Sequence, residues 1–558
     1  MERNAILATV LVILILVGYQ WYLSQMEAPV QGPPRPTSEQ ITEPQKPPTQ
    51  AAVEAPTKQG ESTTRPKTYT PTSQLSLSPR DVTVDTPLMR VVLSTAGARI
   101  KSWQLKAYKL DSGAPVDLVP ASETATTPGP LAAWVNPEQL EQVFEVDKDR
   151  LEFKGPDDSG TLTFKHVTGS GILLTKVITF HANQYEVQAG VSAKNLSLDA
   201  VPVQMRIAWG PGLRNSTDIK STTIQPPTFW IDGKRVQEDL SKLNGERILN
   251  GKLSWAALQD TYFTAALLPK DQGLQAFVSK ASGDQPVVGL ITPKQTVPSG
   301  EEIGTKIQVF AGPRDLDLLR AAGQDLDQII DLGWFDFVAR PALWLLKFLH
   351  HYTGNYGIAI ILITVLQKIA FHPLTHKSMK SMQAMQAIQP KVQAIQERYK
   401  NNPQKKQEET MALYRKHGVN PMGGCLPMLV QIPIFIALYN ALSSSVEMWQ
   451  ARFLWIRDLT QPDALFGITI WQGYPLNLLA LLMGVSMWFQ QKMTPTTGDP
   501  RQAQMMLWTM PIIFTFMFWS FPSGLVLYWL VNNVLQIGQQ WLINRGKASP
   551  SVQEGQPA

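Results

Sequence analysis

The feature that most limits the fold of this chain is the apolar run GNYGIAIILITVLQKIAFHPLT, Gly354 to Thr375, which carries one full positive charge, Lys368. A run rich in Ile, Leu and Val at this length crosses most of a bilayer, whose hydrocarbon core takes about 20 helical residues. A cation at that depth costs about 3 kcal/mol or more, so it is kept for a function or escapes by reaching toward the nearer surface. Lys368 lies roughly 18 Å into its span at 1.5 Å per residue, and the run by itself favours escape toward the cytoplasmic face.

The average composition hides two unlike halves. Of 558 residues 44% are hydrophobic and the mean hydropathy is -0.10, ordinary values for a globular protein. The formal charge is +5, yet residues 24 to 340 hold 32 Lys and Arg against 36 Asp and Glu, so the basic excess lies elsewhere. That split argues against a nucleic-acid binder, which needs a basic face on its soluble domain. The single cysteine, Cys425, excludes an intramolecular disulfide and a multi-cysteine zinc site, and a large exported domain without cysteine points to bacteria. No cysteine follows the first apolar segment, so a lipid-anchored start is not expected.

Ala5 to Leu23 reads as a membrane span with Tyr19, Trp21 and Tyr22 as an aromatic belt, and 1–24 as an uncleaved anchor whose N-terminus stays inside. Ser24, Gln25 and Met26 do not offer the small residues of a signal cleavage site. Residues 25–76 are rich in Pro, Thr, Gln and Glu, with too few apolar side chains to offset ordering entropy, and read as a disordered tether. From about Leu77 to Pro313 the pattern has period two: Leu162 and Phe164 alternate with Thr161 and Thr163, and Tyr185, Val187, Ala189 and Val191 with polar neighbours. A large β-sandwich follows, extended to residue 331 by a helical segment from Arg314 to Leu332. His166 and His181 sit in strand-like runs and read as structural. In 332–350, Asp336, Arg340 and Lys347 share one helical face and Trp334, Phe337, Trp344, Leu345 and Phe348 occupy the rest, the pattern of a helix on a membrane surface.

Beyond the opening run, residues 373–424 form a polar insertion with Lys377, Lys380, Lys391, Arg398, Lys400, Lys405, Lys406, Arg415 and Lys416 against Glu397, Glu408 and Glu409. So basic a connection stays in the cytoplasm. Apolar residues recur at steps of three or four, Asn401 to Pro403 makes a turn, and a helical hairpin is expected, with Pro390 interrupting its first arm. Its basic face is either simply solvated or contacts anionic lipid or the ribosome. Four more apolar segments follow: Leu426 to Trp449, Leu476 to Met493, Met505 to Phe521 and Leu525 to Ile543. The loop with Lys492 and Arg501 and the tail 546–558 then lie inside, and the count is six spans with both termini cytoplasmic. His372 and His376 are spaced i, i+4, but Pro373 intervenes and no HExxH glutamate is present, so no metal site is expected. Cys425 beside Gly423 and Gly424 reads as a packing residue.

The spans are more polar than anchors need to be. The last carries Tyr528, Asn532, Gln536, Gln539 and Gln540, the fourth Asn477, Ser486, Gln490 and Gln491, and the third Gln431 and Asn440. Interhelical hydrogen bonds explain any one amide; the set, with a lysine, points to a shared hydrated interior.

The runs NPMGGCLPMLVQIPIFIALYNAL from Asn420, GVSMWFQQKMTPTT from Gly484 and SGLVLYWLVNNVLQIGQQWLINR from Ser523 closely resemble the YidC membrane protein insertase family of Gram-negative bacteria. The resemblance extends over anchor, tether, β domain and interfacial helix. It implies a polytopic α-helical membrane protein of the bacterial inner membrane, with a five-helix insertase core at 354–545 and a β-supersandwich periplasmic domain. The core encloses a hydrophilic groove open to the cytoplasm and lipid and closed toward the periplasm. It implies that nascent membrane proteins are the substrates, alone or with the SecYEG translocon and accessory Sec components, that the ribosome is a partner, and that no cofactor and no enzymatic step is involved; Lys391, Arg398, Lys405, Lys406, Arg415 and Lys416 are the hairpin residues singled out, solvated or in contact with anionic lipid or the ribosome. The family's groove cation, usually arginine, falls on Lys368; lysine keeps the charge but loses the planar fork that grips a carboxylate with two bonds. Thr364, Gln431, Gln490, Gln491, Tyr528, Trp529 and Asn532 are the implied groove residues beside it. A transporter or channel also has polar spans, but no inverted repeat is visible among the segments.

Overall fold

The period-two pattern between residues 81 and 313 builds sheets because each strand buries one face. In Ser159–Val167, Leu162 and Phe164 are fully buried while Thr161 and Thr163 remain half-buried, and the two threonines Thr161 and Thr179 meet across the strand pair at 3.1 Å. The structure, a computed structural model, describes residues 78–120, 128–135, 142–214, 224–418, 426–468, 476–494 and 500–545, all within one compact unit, Ser73–Ala558. The expected anchor, tether and C-terminal tail, and Cys425, lie outside the described residues.

A nine-stranded antiparallel sheet runs in the order Lys234–Gln237, Thr228–Ile231, Leu253–Gln259, Phe263–Pro269, Glu302–Pro313, Glu186–Asn195, Ile172–His181, Ser159–Val167, Glu145–Val146. Two five-stranded sheets and a two-stranded ribbon accompany it. Every residue of Phe263–Pro269 is buried, which requires cover on both faces. The sheet containing Pro286–Ile291 lies against one face. On the other side the chain returns as helix α1 (Leu316–Ala322) and a 3-10 turn, Leu326–Ile329. Arg314, fully enclosed, holds this segment down by donating to the carbonyls of Asp260, Thr261 and Ile329, and Trp255 Nε1 donates to Asp325 O. The expected continuous helix over Arg314 to Leu332 is therefore two short pieces, broken at Gly323, Gln324 and Asp325, all at positive φ.

Helix α2 (Asp336–Thr353) ends at Gly354, whose left-handed conformation lets its N–H close on His350 O. Its charged face does not point to water. Arg340 pairs with Asp336 and Asp327, and Lys347 with Asp315, Asp317 and Glu447, so α2 is tied to α1, to the 3-10 turn after it and to the turn Val446–Met448. Its aromatic face is bare: Phe337, Trp344, Phe348 and Tyr352 are exposed.

Asn355 caps α3 (Tyr356–Ala387), its side-chain oxygen accepting from the N–H groups of Gly357 and Ile358. Pro373 does not end this helix. The span and the first arm of the hairpin are one continuous element, and the break falls at Ile388, after which α4 (Gln389–Arg398) begins with Pro390 in its first turn. Pro390 starts a helix rather than interrupting one, because the missing N–H is unused at that position. The second arm, α5 (Pro403–Lys416), starts from an Asn402 cap, and Met385, Ile388 and Tyr414 close the hairpin.

The remaining helices are α6 (Leu426–Ser444), α7 (Leu478–Met493), α8 (Pro500–Phe518) and α9 (Ser523–Arg545). Among the described residues α3 is the one helix long and apolar enough to cross a membrane on length and composition, with shorter apolar stretches at Leu429–Ser444 and Gln504–Phe518. α9 packs along α7 and α3, α8 along α7, and α6 along α2; α6 touches α3 and α9 only briefly. At the α7–α8 crossing Gly484 faces Thr515 so closely that a Cβ would collide with the threonine hydroxyl. Outward faces carry exposed apolar side chains, among them Leu366 and Ile369 on α3, Leu429 and Ile432 on α6, Phe489 on α7, Trp508 and Phe516 on α8 and Val534 on α9. The β-rich part grips the helices at Trp449, which stacks on Tyr108 and Tyr262 and meets Phe263 edge-on at 5.5 Å.

Candidate functional site

Polar side chains converge where α3, α6 and α9 face one another. Lys368 Nζ donates to Gln536 Oε1 at 2.7 Å, and among the described residues no carboxylate pairs with it. On α9, Gln536 lies two turns, about 12 Å, beyond Tyr528. The ammonium thus extends along the helix pair toward the hairpin end. Gln367, its neighbour on α3, belongs to a different contact: Gln367 Nε2 donates to Gln431 Oε1 at 3.3 Å, Gln431 Nε2 donates to the Tyr528 hydroxyl, and that hydroxyl donates to Gln367 Oε1 at 3.1 Å. Farther toward the hairpin, Gln539 Nε2 reaches Thr375 Oγ1 and the His372 Nδ1, each at 3.1 Å.

The α9 side chains in these contacts, Tyr528, Gln536 and Gln539, fall within about 80° on a helical wheel, and Asn532 lies between them. Asn532 Oδ1 is buried without a hydrogen-bond partner. Thr364 is fully buried and spends its hydroxyl on Ile360 O at 2.6 Å, one turn back on its own helix. Trp529 points elsewhere, into an aromatic group with Phe435 at 5.0 Å and Phe518 at 5.2 Å. Gln490 and Gln491 are half-buried on α7, and Gln491 Oε1 lacks a partner. Of the expected groove residues Gln431 and Tyr528 therefore come together, through Gln367; Lys368 meets Gln536 instead, Asn532 shares the α9 face of Tyr528 and Gln536, and neither Trp529 nor the α7 amides bond to this group.

The adjacent face of α9 is polar for another reason. Asn533 donates to Ser486 Oγ at 3.0 Å and Gln540 to Met493 O, joining α9 to α7. Gln367 and Gln536 are functional candidates that motif reading passed over. Gln367 is an uncharged amide with no spacing signal of its own; Gln536 belongs to the polar stripe on α9, and only the fold picks it out as the partner of Lys368.

Above this site, toward the β-rich part, the helices are sealed by apolar side chains and by the segment after α6. Met448 and Leu459 are fully buried, Gly524 N–H donates to Leu459 O, and Ser523 N–H to Gln461 O. Asp463 Oδ2 accepts from Trp455 Nε1 and from the Leu479 N–H at the start of α7. At the other end Lys391, Arg398, Lys405, Arg415 and Lys416 are exposed and Lys406 is half-buried; none is in an ion pair among the described residues. Among the described residues no group of three His, Cys, Asp or Glu side chains could hold a metal ion.

The chain matches two family models, the 60Kd inner membrane protein over residues 348–550 and the YidC periplasmic domain over residues 81–345. It is 37% identical over 556 residues to the membrane protein insertase YidC of Pelobacter propionicus, covering 98% of this chain and 99% of that one. It is 36% identical over 568 residues to the membrane protein insertase YidC of Syntrophus aciditrophicus, covering 98% of this chain and 100% of that one. A crystal structure of an active YidC insertase with its first transmembrane domain resolved is 20% identical, with a TM-score of 0.37, over 83% of this chain and 92% of that one.

Proposed function

Because this chain belongs to the YidC family of membrane protein insertases, inner-membrane proteins with a periplasmic domain, we propose that it inserts and helps fold other inner-membrane proteins through a polar groove between α3, α6 and α9. Lys368 supplies the groove's charge, and Thr364, Gln431, Gln490, Gln491, Tyr528, Trp529 and Asn532 border or support it. α3, α6, α7, α8 and α9, with residues 5–23, are the six spans; both termini and the basic hairpin are cytoplasmic, and α2 lies on the periplasmic membrane surface with Phe337, Trp344, Phe348 and Tyr352 in the headgroups.

The single observation that supports this reading best is Lys368: a cation without a carboxylate partner among the described residues, reaching an amide oxygen of α9, in helices whose outer faces are apolar. A structural lysine in such a place is expected to be paired. A groove that admits water from the cytoplasmic side shortens the hydrocarbon path of a polar tail, and the ammonium attracts acidic side chains on it. At 4 Å that attraction is about 1 kcal/mol in water and about 4 kcal/mol at an effective dielectric constant of 20. The substrate's apolar segment meanwhile leaves sideways into lipid past the exposed faces of α6 and α8. No nucleotide is needed, since the hydrophobic burial of the inserted span drives the step. The hairpin's unpaired lysines and arginines suit the ribosome or anionic lipid, and the SecYEG translocon with its accessory components is the partner for larger clients.

The test is insertion of a single-span protein with a short acidic translocated tail into liposomes holding only this purified chain. Protease protection of the tail supports the reading. Absence of protection, together with solute or ion flux, would instead mark a transporter or channel.

A further inference from the structure

The contact among Gln367, Gln431 and Tyr528 is a closed ring in which each side chain donates one hydrogen bond and accepts one, and it joins three separate helices. It sits at a boundary. On the side of the β-rich part the helices bury apolar side chains: Ile360 and Ile363 on α3, Leu525 on α9, and Leu459 from the segment after α6. On the hairpin side come Lys368 with Gln536, the unpartnered oxygen of Asn532, and Gln539 with Thr375.

We infer that this ring is the floor of the groove and that Gln367 is a specificity-determining residue, one that sets how readily a polar translocated segment passes the point where water ends. The inference rests on the insertase reading above. A peptide group carries one donor and one acceptor, as each ring member does within the ring. A passing backbone can therefore exchange bonds with Gln367 and Gln431 one for one, so that neither the tail nor the ring is left with unsatisfied groups where no water can serve them. With no tail present the three side chains bond to one another, which holds them across the groove while each glutamine keeps one further N–H for an incoming carbonyl. Cooperative polarisation around a cycle strengthens that closed state. Gln367 is the member whose role is separable, since Gln431 and Tyr528 still bond to each other without it.

The test uses the full-length protein in proteoliposomes and two substrates that share one apolar span. One carries a translocated tail of about 20 uncharged polar residues, the other a tail of about three. Gln367→Leu is expected to slow the long-tailed substrate about tenfold, the factor of one ordinary hydrogen bond, and to leave the short-tailed one within about twofold of wild type. Tyr528→Phe, which keeps the ring's shape and removes its hydroxyl, is expected to act in the same direction. Unchanged insertion of the long tail by both variants overturns the inference, and so does an equal loss for both substrates, which marks a general packing defect. A wild-type protein that inserts neither substrate refutes the insertase reading itself, a separate outcome.

Discussion

Replacing Lys347 by methionine keeps the length of the side chain and removes the charge that joins three parts of the molecule. Its ammonium lies 3.1 Å from Asp315 on the approach to α1, 2.5 Å from Asp317, and 3.2 Å from Glu447 after α6. The pair with Asp317 counts for little, since that carboxylate is 67% exposed and such pairs contribute about 0–1 kcal/mol. Asp315 and Glu447 are 16% and 11% exposed, and stripping a partner from a buried charge costs about 3–5 kcal/mol. Part of that cost is relieved. Burial first, and then the Asp315 carboxylate, push the Glu447 carboxyl above the usual range, so it takes up a proton once the lysine is gone. The net loss is about 2–3 kcal/mol at the junction, an acceleration of about 30- to 150-fold in amide exchange wherever opening is local. Exchange should rise in peptides covering Leu316–Ala322 and Val446–Met448 and stay unchanged in the strand Ile172–His181. Unaltered protection at the junction, or a uniform rise across the chain, would refute the argument.

Further outcomes follow from buried or crowded groups. Because the folded-state pKa of Glu447 is raised, its contribution is full below the ordinary glutamate value of about 4.3 and is lost as pH rises through the raised value; Glu447→Gln should flatten that decline in junction protection, and an unchanged pH profile would count against it. Lys176 is fully enclosed, donates to the Ala98 and Leu131 carbonyls, and is drawn down by burial to about 7. From about pH 7 to about pH 10 the unfolded chain holds a proton that the folded chain does not, so urea stability of the β-rich part rises over that interval in wild type and stays level in Lys176→Met. Gly484→Ala should push α7 from α8 and cost about 1–3 kcal/mol, seen as a lower thermal midpoint in detergent; an unchanged midpoint would mean the crossing is looser than the Thr515 contact implies.

Apolar periodicity and charge placement made most of the architecture legible. Strands such as Ser159–Val167 announce themselves because one face is buried, and the spans because lipid tolerates few polar groups. Helix ends were less legible. The polar insertion is expected to begin as a new element at Pro373, yet α3 continues through it, and the Thr375 hydroxyl bonds to the carbonyls of Phe371 and His372 beside the gap in the ladder. Only the fold shows that Arg340 of α2 meets Asp327 in the 3-10 turn and that Lys347 meets carboxylates at α1 and beyond α6. Within the candidate site, Lys368 and the stripe on the last span stand out as exceptions in apolar surroundings. Which amide serves which neighbour depends on how α3, α6 and α9 cross, so the Gln367 ring and the Lys368–Gln536 contact were not readable from spacing.

If the Lys368 cation assists the passage of acidic tails, removing its charge must remove a preference for them. The most direct measurement compares Lys368→Ala, Lys368→Arg and wild type in proteoliposomes, using one span with an acidic tail and the same span with a neutral tail. Lys368→Ala should slow the acidic tail about fivefold or more relative to the neutral one, from an attraction of about 1–4 kcal/mol, and Lys368→Arg should retain the wild-type preference. Equal insertion of both tails by Lys368→Ala and wild type would contradict it.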